Sequence, residues 1–150
     1  MTINNISEQL LRDEGVRLLV YDDATGIPIK PGTHVVGHPT IGIGRALDVH
    51  GISMAEALYL NNDDIKDVQN GLLDSLPWLA NLDVVRFAAL ENMAFNLGVN
   101  GLLGFTETLA AIKQGDYELA AEDMLQSEWA QQVGDRANRL ALQIKTGVWQ

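Results

Sequence analysis

Four oxygen-bearing side chains near the start of the chain have the types needed for acid–base chemistry at a single bond. Glu14 stands where a predicted first helix ends, Asp22 and Asp23 follow together, and Thr40 opens the run Thr40–Gly44. Hydrolysis of a glycosidic bond requires one carboxylic acid to protonate the leaving oxygen and a second group to deliver or stabilise a water. Taken alone the set is a weak signal, because a glutamate at a helix end is ordinarily a solvated charge.

The sequence around these side chains predicts a small β-rich lobe between a first helix and a larger helical lobe. Residues 6–12 suit a short helix, and residues 16–43 place Gly and Pro between β-branched residues, as in short strands and turns. We therefore expect an α+β fold in one domain covering residues 1–150. Its β-rich lobe spans about residues 15–50, the helical lobe about 51–150 together with the N-terminal helix, and a ligand cleft lies between them.

Helix boundaries in the second lobe follow from capping residues. Ser53 and Glu56 have the spacing of a capping box, which places a helix start near Met54. The polar residues 61–63 are expected to end that helix and cap the next. Asp83 is expected to cap a mostly apolar and therefore central helix over residues 84–97. Further expectations are a stop at Gly147 and packing roles for Trp129 and Trp149.

Composition narrows the classes of function. The chain has 150 residues, enough for one core, and no cysteine, so it has neither disulfides nor thiolate metal sites. A formal net charge of −10 disfavours nucleic acid and anionic membranes as partners. Residues 1–13 lack the basic region of a signal peptide, and residues 84–105 are too polar for a membrane span. We therefore expect synthesis in the cytoplasm without a membrane anchor. The three histidines lack metal-ligand spacing, so no metal or other cofactor is expected.

Three short runs carry a family resemblance: Glu14–Leu18, Tyr21–Asp23 and Thr40–Gly44. Together they are similar to the active-site signature of glycoside hydrolase family 24, the phage-type lysozymes or endolysins. The similarity continues in order along the rest of the chain. It includes Ala89-Leu90, Asn92-Met93, Phe95, Gly98, Gly104–Thr106, Trp129, Arg136-Ala137, Thr146-Gly147 and Trp149.

The resemblance implies a reaction and its residues. Glu14 matches the family's proton donor, Asp23 the carboxylate that positions and activates a water, and Thr40 the threonine that helps to hold that water. The family hydrolyses the β-1,4 bond between N-acetylmuramic acid and N-acetylglucosamine of peptidoglycan with inversion, without metal or cofactor. In general, inversion leaves roughly 6.5–9.5 Å between the two carboxyl groups. The implied substrate contacts are Ala46, Phe95, Thr108 and Asp123, of which only Phe95 keeps the family's residue type. A phenylalanine on an apolar helix is equally compatible with a core position.

The sequence departs from the family pattern between Asp23 and Thr40. Residues 24–39 intervene where the family has only a few residues, and we expect an enlarged hairpin at the rim of the cleft. A role in substrate contact and a tolerated surface insertion both remain open. The insertion also leaves open whether Asp22 or Asp23 is the base, although the spacing favours Asp23. Arg45 stands where the family often has a histidine, and we expect it to form an ion pair with Asp64, or alternatively Asp63.

Other functions are less well supported by these residues. A lytic transglycosylase needs one glutamate and no activated water, so Asp23 and Thr40 disfavour it. A catalytically silent peptidoglycan-binding module would not need Glu14, Asp23 and Thr40 all to be present. A zinc amidase is disfavoured because the chain has neither paired histidines nor cysteines to bind zinc. As an endolysin the protein would act as a monomer on the glycan strands of the cell wall, after a phage holin releases it from the host cytoplasm.

Overall fold

The N-terminal part of the chain forms one helix and a small antiparallel sheet. In the computed structural model, which describes residues 5–150, helix α1 covers Ile6–Glu14 and strands β1, β2 and β3 cover Arg17–Asp22, Pro39–Gly42 and Arg45–Ala46. The strands lie in the order β1-β2-β3, and a one-turn helix α2, Leu47–His50, follows. The predicted strands and the enlarged hairpin are confirmed. The signal-peptide expectation falls in part on residues 1–4, which lie outside the described residues.

Capping interactions fix both ends of α1. The side chain of Asn5 accepts the N–H of Glu8 at 2.9 Å, and the N–H of Gly15 donates to Leu11 O at 3.1 Å. Gly15 has a φ of 70°, a value that favours glycine, so the chain turns there from helix into β1. The helix is two residues longer than predicted, and Glu14 becomes its last residue.

The rest of the chain is helical. After α2 come α3 (Met54–Ser75), a 3-10 helix (Pro77–Asn81), α4 (Val84–Leu97), α5 (Val99–Leu103), α6 (Thr106–Gln114), α7 (Tyr117–Gln126), α8 (Glu128–Val133) and α9 (Asp135–Thr146). The capping box is confirmed, because the N–H of Ser53 donates to Glu56 at 2.7 Å and the N–H of Glu56 donates to Ser53 Oγ at 3.2 Å. Asp83 caps α4 as predicted, and Gly147 ends α9 in the left-handed conformation.

The predicted helix break at residues 61–63 is wrong, because α3 continues through them to Ser75. Asparagine and aspartate weaken a helix interior by less than about 1 kcal/mol each, and the segment has neither proline nor glycine. The helical spacing of Ile65, Val68 and Leu72 continues beyond it, with Leu72 fully buried. Burial of that face outweighs the local preference for a cap.

The chain divides into two units, which we call the N-terminal unit (through Leu58) and the C-terminal unit (Tyr59–Gln150). Among the described residues, every buried apolar side chain belongs to the C-terminal unit, from Leu72 to Ile144. Helix α4 supplies Ala89, Leu90, Met93 and Ala94 to this core, which confirms its central position. In the described part of the N-terminal unit the buried side chains are those of Asp22 and Thr40, and both are polar.

The two tryptophans predicted to pack have different environments. Trp129 is 4% exposed, stacks edge-on against Phe105 and donates its indole N–H to Asn96 at 2.9 Å, so its packing role is confirmed. Trp149 is 62% exposed, and the prediction is wrong for it, because it follows the helix stop at Gly147. No helix within residues 5–150 combines the length and the hydrophobicity that crossing a bilayer requires.

Candidate active site

Glu14 lies at the junction between α1 and β1. It is the final residue of the helix, its side chain is exposed, and Gly15 turns the chain directly after it. Within residues 5–150 no group donates a hydrogen bond to its carboxylate. The carboxyl group is therefore open to a ligand from solvent.

Asp22, the last residue of β1, has a structural role. It is 1% exposed, and its carboxylate accepts three backbone N–H groups: Ala24 at 2.9 Å and Gly37 at 3.0 Å on Oδ1, and Val36 at 2.8 Å on Oδ2. The Val36 N–H, followed by the others, lowers the pKa of Asp22 below its ordinary value, although burial acts to raise it. Asp22 is thus a buried, ionised anchor for residues 36 and 37.

Asp23 has the opposite environment, since its side chain is exposed. Its Oδ1 accepts the N–H of His38 at 2.6 Å, and its own N–H donates to His38 O at 3.1 Å. The hydroxyl of Thr40 donates to the same carbonyl at 3.1 Å. The two peptide groups flanking His38 thus bring Asp23 and Thr40 together despite the intervening residues 24–39.

Thr40 occupies the centre of the sheet. It pairs with Tyr21 on β1 and with Ala46 on β3, and it is 3% exposed. Ala46, predicted to contact substrate, is half-buried beside it. Three of the predicted site residues, Asp23, Thr40 and Ala46, are therefore neighbours in the N-terminal unit.

Two ion pairs surround this group. His38 Nδ1 lies 2.9 Å from Asp48 Oδ2 on α2. The hydrogen bond and the charge of Asp48 raise the pKa of His38, and His38 in turn lowers the pKa of Asp48. For Arg45, which was predicted to pair with Asp64 or alternatively Asp63, the structure gives a different partner. Arg45 donates to Gly51 O at 2.6 Å and lies 3.3 Å from Glu56, the acid that α3 offers in its first turn.

The other predicted substrate contacts lie in the C-terminal unit, at two separate pockets. Phe95 is 46% exposed, so it is not a core residue, and with Trp149 and Arg136 it lines a pocket of about 310 Å³. Asp123 lines a second pocket of about 560 Å³. Thr108 is fully buried and donates its hydroxyl to Asp123, so it can influence a ligand only through that carboxylate.

Sequence reasoning missed the contributions of Gly37, His38 and Asp48, because they depend on the path of residues 24–39. The alternation of side chains along a strand was the available signal for Asp22, since it places neighbouring aspartates in different environments. Within residues 5–150 no group of three or more His, Cys, Asp or Glu side chains is arranged to hold a metal ion.

The fold and this site define the class of the protein. A helix ending in a glutamate leads into a three-stranded antiparallel sheet that carries an exposed aspartate and a threonine, and a helical unit follows. This is the lysozyme-like α+β architecture of a glycoside hydrolase. The sequence matches the phage lysozyme family over residues 12–143, and the chain belongs to that family.

Individual relatives differ in how much of their length the chain covers. It is 34% identical to the pre-baseplate central spike protein of Enterobacteria phage T4, over 95% of this chain and 28% of that protein. It is 29% identical to probable T4-type lysozyme 1 of Dictyostelium discoideum, over 97% of this chain and 96% of that protein. It is 28% identical to the endolysin of Salmonella phage P22, over 78% of this chain and 76% of that protein.

Proposed function

We propose that the protein is an inverting N-acetylmuramidase, which hydrolyses the β-1,4 bond between N-acetylmuramic acid and N-acetylglucosamine in peptidoglycan. The observation that carries the proposal is the convergence of Asp23 and Thr40 on the peptide groups flanking His38. An exposed carboxylate beside a hydroxyl can bind one water, and Glu14 supplies the separate acid that the reaction needs.

In the proposed reaction Glu14 donates its proton to the glycosidic oxygen as the bond to the anomeric carbon breaks. The Thr40 hydroxyl donates to His38 O, so the lone pairs of Thr40 Oγ1 are left to accept a hydrogen bond from the water. Because Oδ1 of Asp23 already accepts the His38 N–H, Oδ2 is the oxygen available to the water's other proton. The water then directs a lone pair at the anomeric carbon, and Asp23 takes up the proton released by the attack.

The substrate contacts proposed in addition are Ala46, Phe95, Thr108 and Asp123. The position of Ala46 beside Thr40 supports a place near the reacting sugar. The exposed ring of Phe95 suits the apolar face of a sugar. Asp123 offers an acceptor for sugar hydroxyls, and Thr108 orients that acceptor by hydrogen bonding.

Lysis of a bacterial host is the proposed biological role, supported by the similarity to the endolysin of phage P22. The protein would act as a monomer on the glycan strands of the cell wall. In this role a phage holin would give it passage from the host cytoplasm to the wall.

Two measurements on isolated peptidoglycan test the reaction. Product analysis should find reducing N-acetylmuramic acid ends, whereas 1,6-anhydro ends would identify a lytic transglycosylase. Asp23→Asn should lower the rate by about 10²–10⁴-fold with only a small loss of stability, because the amide oxygen can still accept the His38 N–H. Its matched control, Asp22→Asn, should chiefly lower stability and cost far less activity per folded molecule, because Asp22 is buried among backbone donors. If Asp22→Asn abolishes turnover while Asp23→Asn does not, Asp23 is not the residue that activates the water.

A further inference from the structure

The end of the loop formed by residues 24–39 is bound to Asp22, the last residue of β1, and to Asp23, which follows it. The N–H groups of Val36 and Gly37 donate to the Asp22 carboxylate at 2.8 and 3.0 Å. The next N–H in the chain, that of His38, donates to the Asp23 carboxylate at 2.6 Å. Three consecutive peptide groups thus bind two consecutive carboxylates, and the part of the chain that departs from the family pattern holds the proposed base.

Gly37 is the point of closest approach in this arrangement. A Cβ added there would lie 2.1 Å from Asp23 Oδ1, 2.7 Å from Ala24 Cβ and 2.8 Å from Ala24 N. Gly37 is not among the glycines with positive φ, so its backbone conformation is open to other residues. Glycine is therefore required at this position for space, and the space it provides is occupied by the Asp23 carboxylate.

We propose that Gly37 is a positioning residue for Asp23, an inference that rests on the proposed role of Asp23 in activating water. The absence of a side chain at residue 37 lets the following N–H reach Asp23 Oδ1, which leaves Oδ2 for the water at Thr40. An added methyl group meets the Asp23 carboxylate first, and relief of that 2.1 Å contact turns the carboxylate away by about 1 Å. The 2.8 Å contact with Ala24 N requires an additional, smaller shift of the backbone. A misplacement of this size can lower a rate by about 100-fold.

The test compares Gly37→Ala with Gly32→Ala by measuring kcat and KM on soluble peptidoglycan oligomers. Gly37→Ala should lower kcat by about 10- to 100-fold and change KM by less than about twofold. Gly32 lies in the same loop with a φ of 86°, and a Cβ there meets no atom within 4 Å. Gly32→Ala therefore strains the loop without touching Asp23, and its kcat should stay within about twofold of wild type.

A double-mutant cycle separates positioning from a general disturbance of the fold. When Asp23→Asn has already removed the base, adding Gly37→Ala should change kcat by less than about twofold. An equal loss in both backgrounds would mean that Gly37 does not act through Asp23, and the inference would be overturned. A Gly37→Ala enzyme within about threefold of wild type would overturn it as well. If Asp23→Asn itself stays near wild type, the proposed function fails together with this inference.

A second variant provides for the case in which Gly37→Ala does not fold. Ala24→Gly combined with Gly37→Ala removes the contact with Ala24 Cβ, while the contacts with Asp23 Oδ1 and with the backbone N of residue 24 remain. We expect this variant to be more stable than Gly37→Ala and to show the same loss of kcat. Recovery of wild-type kcat in the double variant would overturn the inference, because the carboxylate would still be displaced.

Discussion

Arg86 joins three helices of the C-terminal unit, and its removal should be among the most destabilising single changes there. From the first turn of α4 its guanidinium donates to Ile144 O at 2.6 Å and to Lys145 O at 3.2 Å, which are carbonyls at the end of α9. It also pairs with Asp83 at 2.8 Å and lies 3.7 Å from the ring centre of Tyr117. Its side chain is only 15% exposed.

The magnitude follows from these contacts. Hydrogen bonds to a charged group contribute about 1.5–3 kcal/mol, and a cation–π contact of a desolvated arginine contributes about 2 kcal/mol. The contributions share one side chain and are not additive, so we expect Arg86→Ala to lower the free energy of unfolding by about 3 kcal/mol. With a urea m-value of about 1–3 kcal/mol/M, the midpoint should fall by about 1–3 M.

Urea unfolding followed by tryptophan fluorescence measures this change, because all three tryptophans of the chain lie in the C-terminal unit. Arg139→Ala on the exposed face of α9 is the matched control, with an expected change of less than about 0.5 kcal/mol. A loss below about 1 kcal/mol for Arg86→Ala would mean that the carbonyls at the end of α9 do not depend on the guanidinium.

Two further predictions concern charge. Protonated His38 stabilises the fold at pH values below its ordinary pKa, and this contribution is lost as the pH rises through its raised pKa. The contribution of ionised Asp48 is lost as the pH falls through its lowered pKa. Asp48→Asn should therefore lower the His38 pKa in an NMR titration, and an unchanged value would show that the pair does not form in solution. The net charge of −10 should oppose approach to an anionic cell wall, and Lys145 is already paired with Glu118. The clearing rate on isolated peptidoglycan should therefore rise or stay flat as the salt concentration increases to physiological ionic strength, where the screening length is about 8 Å. A steep fall in the rate would contradict this prediction.

Local signals in the sequence predicted much of the fold. The capping residues Ser53 and Asp83 and the stop at Gly147 each act within one helical turn, and the structure confirms all three. The predicted break at residues 61–63 was wrong, because burial along α3 depends on packing that a local cap signal does not include. Arg45 likewise pairs with Glu56 in the first turn of α3 and donates to Gly51 O, and the register with the family indicated neither contact.

The residues of the candidate site were indicated by the sequence, but the way in which the chain brings Asp23 and Thr40 together was not. The sequence indicated Glu14, Asp23 and Thr40, but the loop of residues 24–39 separated two of them by an unknown path. That path depends on backbone N–H donors to Asp22 and on a glycine without space for a Cβ, and neither leaves a recognisable pattern in one sequence. Side-chain alternation along a strand indicates that Asp22 and Asp23 have different environments, and the structure shows that Asp22 is the buried one.

Glu14 is proposed as the acid that protonates the leaving oxygen, and a comparison of two variants tests this role. Glu14→Gln preserves the shape of an exposed side chain at the end of α1 and replaces the ionisable carboxyl group by an amide that cannot act as a general acid. Asp13→Asn is its matched control, because Asp13 is the adjacent exposed acid and pairs with Arg12 at 2.6 Å. On isolated peptidoglycan, folded Glu14→Gln should lose about 10²–10⁴-fold in initial rate, while Asp13→Asn should stay within about threefold of wild type. A folded Glu14→Gln protein that clears the substrate within about threefold of the wild-type rate would mean that Glu14 is not the proton donor.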